Sequence, residues 1–297
     1  MIRLNEPEYD YEQTLDKCIA GINGNVSLRN KMTESREGLV ETENNYIAAA
    51  STGNLYTIPP INTDLNPDPI VINILRKNEL VKIYDQYFVP ENKPARKIYD
   101  ALKNAAKEKC PFCGGIGTPH NLDHFLPKAH FPIFSVLPHN LVPACRDCNM
   151  EGKGENFATS AEAQIIQPYL DHDRFFLEQW IFATYNPGNN VEIGEMEYNV
   201  SPPENWSEVD QQRVEKHFAD FKLAKRYGTK AAEFMVTVLA QIKSMRQVEL
   251  NNDDIQDVLL IPAINTAPFA NHWQKGMYQA LREALINNQL EEALQVL

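Results

Sequence analysis

The chain has 297 residues, 43% hydrophobic and 23% charged, which is enough to build one large core or two smaller ones. No apolar run approaches the 18 or more residues of a membrane span, and the opening Met1-Ile2-Arg3-Leu4-Asn5-Glu6 has no apolar signal segment, so a cytoplasmic, non-membrane protein is expected. The formal net charge of -12 argues against unaided tight binding to nucleic acid, because phosphate contact by cations dominates such affinity.

In chain order, Glu12 to Ile22 has apolar spacing that suits a helix, and a polar stretch leads from it to Tyr46-Ile47-Ala48-Ala49-Ala50. Thr57-Ile58-Pro59-Pro60 to Asn66-Pro67-Asp68-Pro69 excludes helix and central strand, since proline lacks the N–H that both need. Residues 70–88 and 94–108 read as helices. Ahead of Cys110 lie Lys93, Arg96, Lys97, Lys103, Lys107 and Lys109, a basic patch that can offset the acidic balance locally. After the middle of the chain, Phe176 to Tyr185, Asn186-Pro187-Gly188-Asn189-Asn190 and Val191-Glu192-Ile193 suggest a hairpin. Helical signals then dominate: 207–227, 230–250, a segment near 252–260, and 270–296. A second basic cluster falls here, at Arg213, Lys216, Lys222, Lys225, Arg226 and Lys230. The expected organisation is 1–92, a helical and loop region; 93–170, a compact core; and 171–297, a hairpin with a helical tail.

The most informative residues lie in mid-chain. Cys110/Cys113 and Cys145/Cys148 are two Cys-x-x-Cys pairs separated by residues 114–144. Such knuckles can set four thiolates in a tetrahedron around a structural Zn²⁺, which prefers soft sulfur ligands. Cys18 is left as a single thiol, a pattern that fits a reducing compartment and not a disulfide framework. Between and beside the pairs stand Leu122-Asp123-His124, Pro127-Lys128, Asn140-Leu141-Val142-Pro143 and Asn149, the last directly after Cys148. A zinc ribbon used only for binding requires none of these.

From Cys110 to Lys153 the sequence resembles the HNH endonucleases, whose ββα-metal core packs a β-hairpin on a helix. The resemblance implies an α+β, mainly helical protein with that core flanked by helical regions. It implies that Asp123 and Asn149 are ligands of a catalytic Mg²⁺ or Mn²⁺ and that His124 is the general base for water attacking a phosphodiester. Asn140 would hold the loop and orient the base. Lys128 and Lys153 are expected at phosphates on either side of the cleft, and His120, His130 and His139 lie close by. The substrate expected is DNA, with RNA such as tRNA as the lesser alternative. A catalytically inactive, zinc-stabilised nucleic-acid- or protein-binding subunit is the other reading. The run Pro168-Tyr169-Leu170-Asp171 and the long helical tail also look like HNH nucleases of bacterial anti-phage systems of the Septu type, which act beside an ABC-like ATPase; a regulatory partner of that kind is the corresponding expectation.

Overall fold

A computed structural model describes residues 1–189 and 192–297. The protein is α+β and mainly helical, with three separate two-stranded antiparallel sheets among the described residues. The chain divides into two compact units, Ile2–His172 and Asp173–Leu297, the latter grouped with Met1. The expected boundary at 92/93 thus falls inside the first unit, and the division itself falls at 172/173, two residues beyond the expected 170/171.

In the first unit, α1 (Tyr11–Ala20) starts at a capping box in which the Asp10 carboxylate accepts from the Gln13 N–H at 2.7 Å and the Gln13 side chain returns to the Asp10 N–H. The polar stretch that follows is α2 (Val26–Ser51), 26 residues long and capped by Asn25. Its buried residues are Leu28, Met32, Ser35, Leu39, Tyr46 and Ala50. That is a stripe of helical period, but only one residue wide, which is why the segment reads as polar.

Residues 70–76 are a hairpin, β1 (Ile70–Ile72) and β2 (Leu75–Arg76), where a helix is expected from sequence. Three consecutive β-branched residues favour extended backbone, and Asn73 takes the left-handed conformation (φ 49°) that turns the chain. The helix begins only at α3 (Lys77–Lys82) and runs on as a π-helical turn, Ile83–Phe88. After α4 (Arg96–Ala105), β3 (Asn121–His124) pairs with β4 (Leu141–Ala144) in the register Asn121↔Ala144 to His124↔Leu141. A π-helical turn, Asp147–Lys153, follows β4 and ends at Gly154, whose φ of 55° a β-carbon would strain.

The second unit opens with the short α5 (Arg174–Leu177) and a hairpin of β5 (Ile181–Asn186) and β6 (Glu195–Val200). The strand expected to begin at Phe176 begins at Ile181, because Phe175 and Phe176 belong to α5; Asn190 and Val191 of the expected turn lie outside the described residues. Helices α6 (Glu208–Asp220) and α7 (Leu223–Gln247) are split at Phe221–Lys222, where Lys222 has φ 51°. The sequence suggests the break at Gly228-Thr229 instead. Gly228 sits inside α7, and a β-carbon there would lie 3.1 Å from the Met196 carbonyl oxygen of β6, so this glycine serves close packing on the hairpin and not a helix end. The chain closes with α8 (Asn252–Ile255), a π-helical turn, α9 (Ile261–Asn265), α10 (Trp273–Ile286) and α11 (Glu291–Val296). Asn271 ties α10 to the hairpin by accepting from the N–H groups of Trp180 and Ile181 at 2.7 and 3.0 Å. No described helix is long and apolar enough to cross a membrane.

Candidate functional site

The two cysteine knuckles converge. Cys110, Cys113, Cys145 and Cys148 are all buried, and their Sγ atoms lie within 4.8 Å of one another. A zinc–sulfur bond of about 2.3 Å gives a tetrahedron with edges of about 3.8 Å, and Cys113 and Cys145 are 4.0 Å apart. The first knuckle is shaped for this by its backbone. Gly114 and Gly115 both take positive φ, the Gly115 N–H returns to the Cys110 carbonyl at 2.9 Å, and the Gly117 N–H reaches the Cys113 sulfur at 3.4 Å. Mutual hydrogen bonding pulls the Cys145 thiol below the usual range and pushes Cys148 above it, beginning in each case with Cys110. Four thiols packed this closely can hold a metal such as zinc, which takes them all as thiolates.

A second group of residues lines a cleft of about 340 Å³ in the same unit. It is lined by Asp123 and His124 at the end of β3, by Pro127, Lys128 and Ala129 after it, and by Asn149, Met150, Gly154 and Glu155. The π-helical turn Asp147–Lys153 serves both places: Cys148 is buried in the thiol cluster, and its neighbour Asn149 lies on the cleft.

His124 is buried, and its Nε2–H donates to the Ser135 carbonyl at 2.9 Å. That bond selects the tautomer whose lone pair is on Nδ1. Burial pulls its pKa down to about 3, with Lys128 and Lys153 adding to the effect, so the ring is neutral at any working pH. An anionic phosphate in the cleft would draw it back up. Tyr84, from the π-helical turn after α3, sets its ring edge-on to the imidazole at 4.4 Å between centroids. Asp123 is also buried; burial pushes its carboxyl up to about 6 despite the nearby Lys153 ammonium. Its Oδ2 has no hydrogen-bond partner among the described residues, and the Lys153 Nζ stands 3.6 Å away, beyond hydrogen-bond range. A buried carboxylate and an amide residue on the same cleft are oxygen donors of the kind a hard divalent cation takes.

Asn140 is fully buried between the strands of the hairpin. Its Oδ1 accepts from the Leu126 N–H at 2.7 Å and the Tyr46 hydroxyl at 3.1 Å, and its Nδ2 donates to the carbonyls of Leu126 at 3.0 Å and Phe134 at 3.1 Å. It therefore pins both ends of the segment that bears Lys128 and Ser135.

The two lysines differ. Lys128 lines the cleft, pairs with Asp85 and lies over the Tyr84 ring at 4.6 Å. Lys153, expected at a phosphate, is only 5% exposed, and its Nζ donates to the His124 carbonyl at 2.6 Å. It is an internal cation under the cleft, not a surface one. Of the neighbouring histidines, His120 is exposed, His130 packs against Phe157 at 5.0 Å, and His139 is engaged by Glu6 at 2.7 Å and Glu43 at 3.5 Å. None of the three lines the cleft. Tyr46, Tyr84 and Ser135 carry no sequence signal; they reach the site through tertiary packing.

No family model matches the sequence, and no solved structure matches it. Protein ea31 of Escherichia phage lambda is 38% identical over 292 residues, covering 95% of this chain and 97% of the phage protein. The chain belongs to the ea31 family. The likeness covers residues of both compact units of this chain and is not confined to the cysteine-bounded segment.

Proposed function

We propose that this ea31-family protein is an HNH endonuclease that hydrolyses phosphodiester bonds with a divalent cation, on a core stabilised by zinc. One observation carries the reading: Asp123, His124 and Asn149 line a single cleft at the junction of a β-hairpin and a short helix, while the four thiols form a separate, buried cluster. A binding module has no need for a neutral buried histidine whose Nε2 is committed to a carbonyl beside a carboxylate oxygen without a donor.

On this reading, His124 Nδ1 takes a proton from water as the water oxygen bonds to phosphorus and the bond to the 3′ oxygen breaks; the departing oxygen takes its proton from solvent. The Ser135 carbonyl and the Tyr84 ring hold the imidazole in place for that transfer, and the carbonyl stabilises the cationic ring that results. A divalent cation on Asp123 and Asn149, Mg²⁺ or Mn²⁺, supplies charge against the negative charge that builds on the phosphate. Lys128 is the cleft cation available to the substrate backbone. DNA is the proposed substrate, ahead of RNA. The proposed setting is a cytoplasm, where the thiols stay reduced, and a role in anti-phage defence beside an ATPase partner that restrains an acidic nuclease.

The test is digestion of plasmid DNA and of total RNA with Mg²⁺ or Mn²⁺, by the wild-type protein and by His124→Ala. A lost general base should slow cleavage by about 10²- to 10⁴-fold with the fold and zinc content unchanged. Metal-dependent cleavage by neither form, from folded zinc-loaded protein, would leave the binding-subunit reading in its place.

A further inference from the structure

Lys153 is the residue the sequence misplaces. Its side chain is 3% exposed at the end of the Asp147–Lys153 turn, where it faces the two residues of β3 that matter most: it donates to the His124 carbonyl at 2.6 Å, and its ammonium stands 3.6 Å from Asp123 Oδ2. Lys153 and Asp123 form a buried pair whose separation lies just beyond hydrogen-bond range. The ammonium bonds to the neighbouring backbone carbonyl and stands against the carboxylate as its charge partner.

We infer that Lys153 is a positioning residue that stands in for the divalent cation: it holds the Asp123 carboxylate at the cleft when no metal is there, and metal entry exchanges one cation for another at that carboxylate. The inference rests on the nuclease reading in taking Asp123 as the metal ligand. The lysine makes the cleft ready in shape while lowering its affinity for metal, because a dication and an ammonium beside one carboxylate repel. Even at the effective dielectric of a protein surface, that repulsion amounts to well over a tenfold change in affinity.

The experiment is a Mn²⁺ titration followed by electron paramagnetic resonance on the full-length, zinc-loaded protein at pH 8, comparing wild type, Lys153→Met, Asp123→Asn and the double variant. Lys153→Met should bind Mn²⁺ at least about tenfold more tightly than wild type, and Asp123→Asn/Lys153→Met should lose that gain. Lys153→Gln keeps a donor for the His124 carbonyl without the charge; it should show the same tightening and replaces Lys153→Met if the latter does not fold. A lysine that served only the fold would weaken metal binding when removed, and one that met phosphate would weaken oligonucleotide binding with Mn²⁺ affinity unchanged. Either result, with Asp123→Asn still abolishing Mn²⁺ binding, overturns the placeholder role and leaves the metal site standing. Identical Mn²⁺ binding by all four proteins removes Asp123 as a ligand, and the nuclease reading goes with it.

Discussion

Within the N-terminal unit the thiol cluster and the cleft proposed to take a catalytic cation are built in opposite ways. The cysteine cluster is closed: four buried sulfurs face one another, so the ion that suits it has a full coordination sphere and no room for substrate. The Asp123 cleft is open: one carboxylate oxygen lacks a donor among the described residues, and Asn149 lines the same cleft. The first arrangement suits holding a fold together and the second suits exchange. Their meeting point is the turn Asp147–Lys153, which lends Cys148 to one and Asn149 to the other.

The harshest way to test that division is to open the closed site. Cys145→Ser should remove about one zinc per chain and unfold the N-terminal unit, since a structural zinc contributes folding energy directly. Elemental analysis and circular dichroism read this; a folded, zinc-free variant would erase the contrast. Next comes the open site. Chelation brief enough to spare the zinc should abolish cleavage, and added Mn²⁺ should restore it. Asp123→Ala should raise the Mn²⁺ required by at least about tenfold or eliminate turnover, whereas His130→Ala should change little. Unchanged metal dependence in Asp123→Ala would disprove the assignment.

A smaller effect is expected where the loop is pinned. Asn140→Ala strands the Leu126 N–H and two carbonyls in the interior, at about 1–3 kcal/mol for each group left unsatisfied, so denaturant midpoints should fall by an amount corresponding to at least about 2 kcal/mol. The smallest effect concerns His139. Burial alone would depress its pKa, but the Glu43 and Glu6 carboxylates outweigh that and raise it. A raised folded pKa means the stabilisation is complete below the unfolded value of about 6.5 and is lost as pH climbs through the higher folded value. Because Glu6 is 67% exposed, the amount is about 0–1 kcal/mol. His139→Gln should flatten the stability profile over that window, and identical wild-type and variant profiles would refute the linkage.

How much of this was legible depends on distance along the chain. The cysteine pairs, Asp123-His124, Asn140 and Asn149 are short-range patterns, and the structure brings each of them either to the thiol cluster, to the cleft or to the segment joining them. Lys153 was visible as a residue but not as an environment, for nothing local says that a lysine after Glu151-Gly152 turns inward. Tyr46 and Tyr84 lie 94 and 40 positions before Asn140 and His124, and only packing connects them. Helix α2 was hidden by its one-residue-wide apolar stripe, and the hairpin at 70–76 by an apolar run whose length fits either element. The break at Lys222 depends on a left-handed lysine, which sequence does not mark, while the gap expected between 227 and 230 falls inside α7, at Gly228.

The hydrogen bonds of Asn140 reach beyond stability. Residues 125–140 contain little regular structure, yet the Leu126 amide proton is held as firmly as one inside a helix, and its exchange with deuterated solvent should be slow for a loop. The wall of the cleft that carries Lys128 has therefore surrendered its conformational entropy in advance. A guest has nothing to order on that side, and whatever bending or unstacking the fit demands must come from the guest.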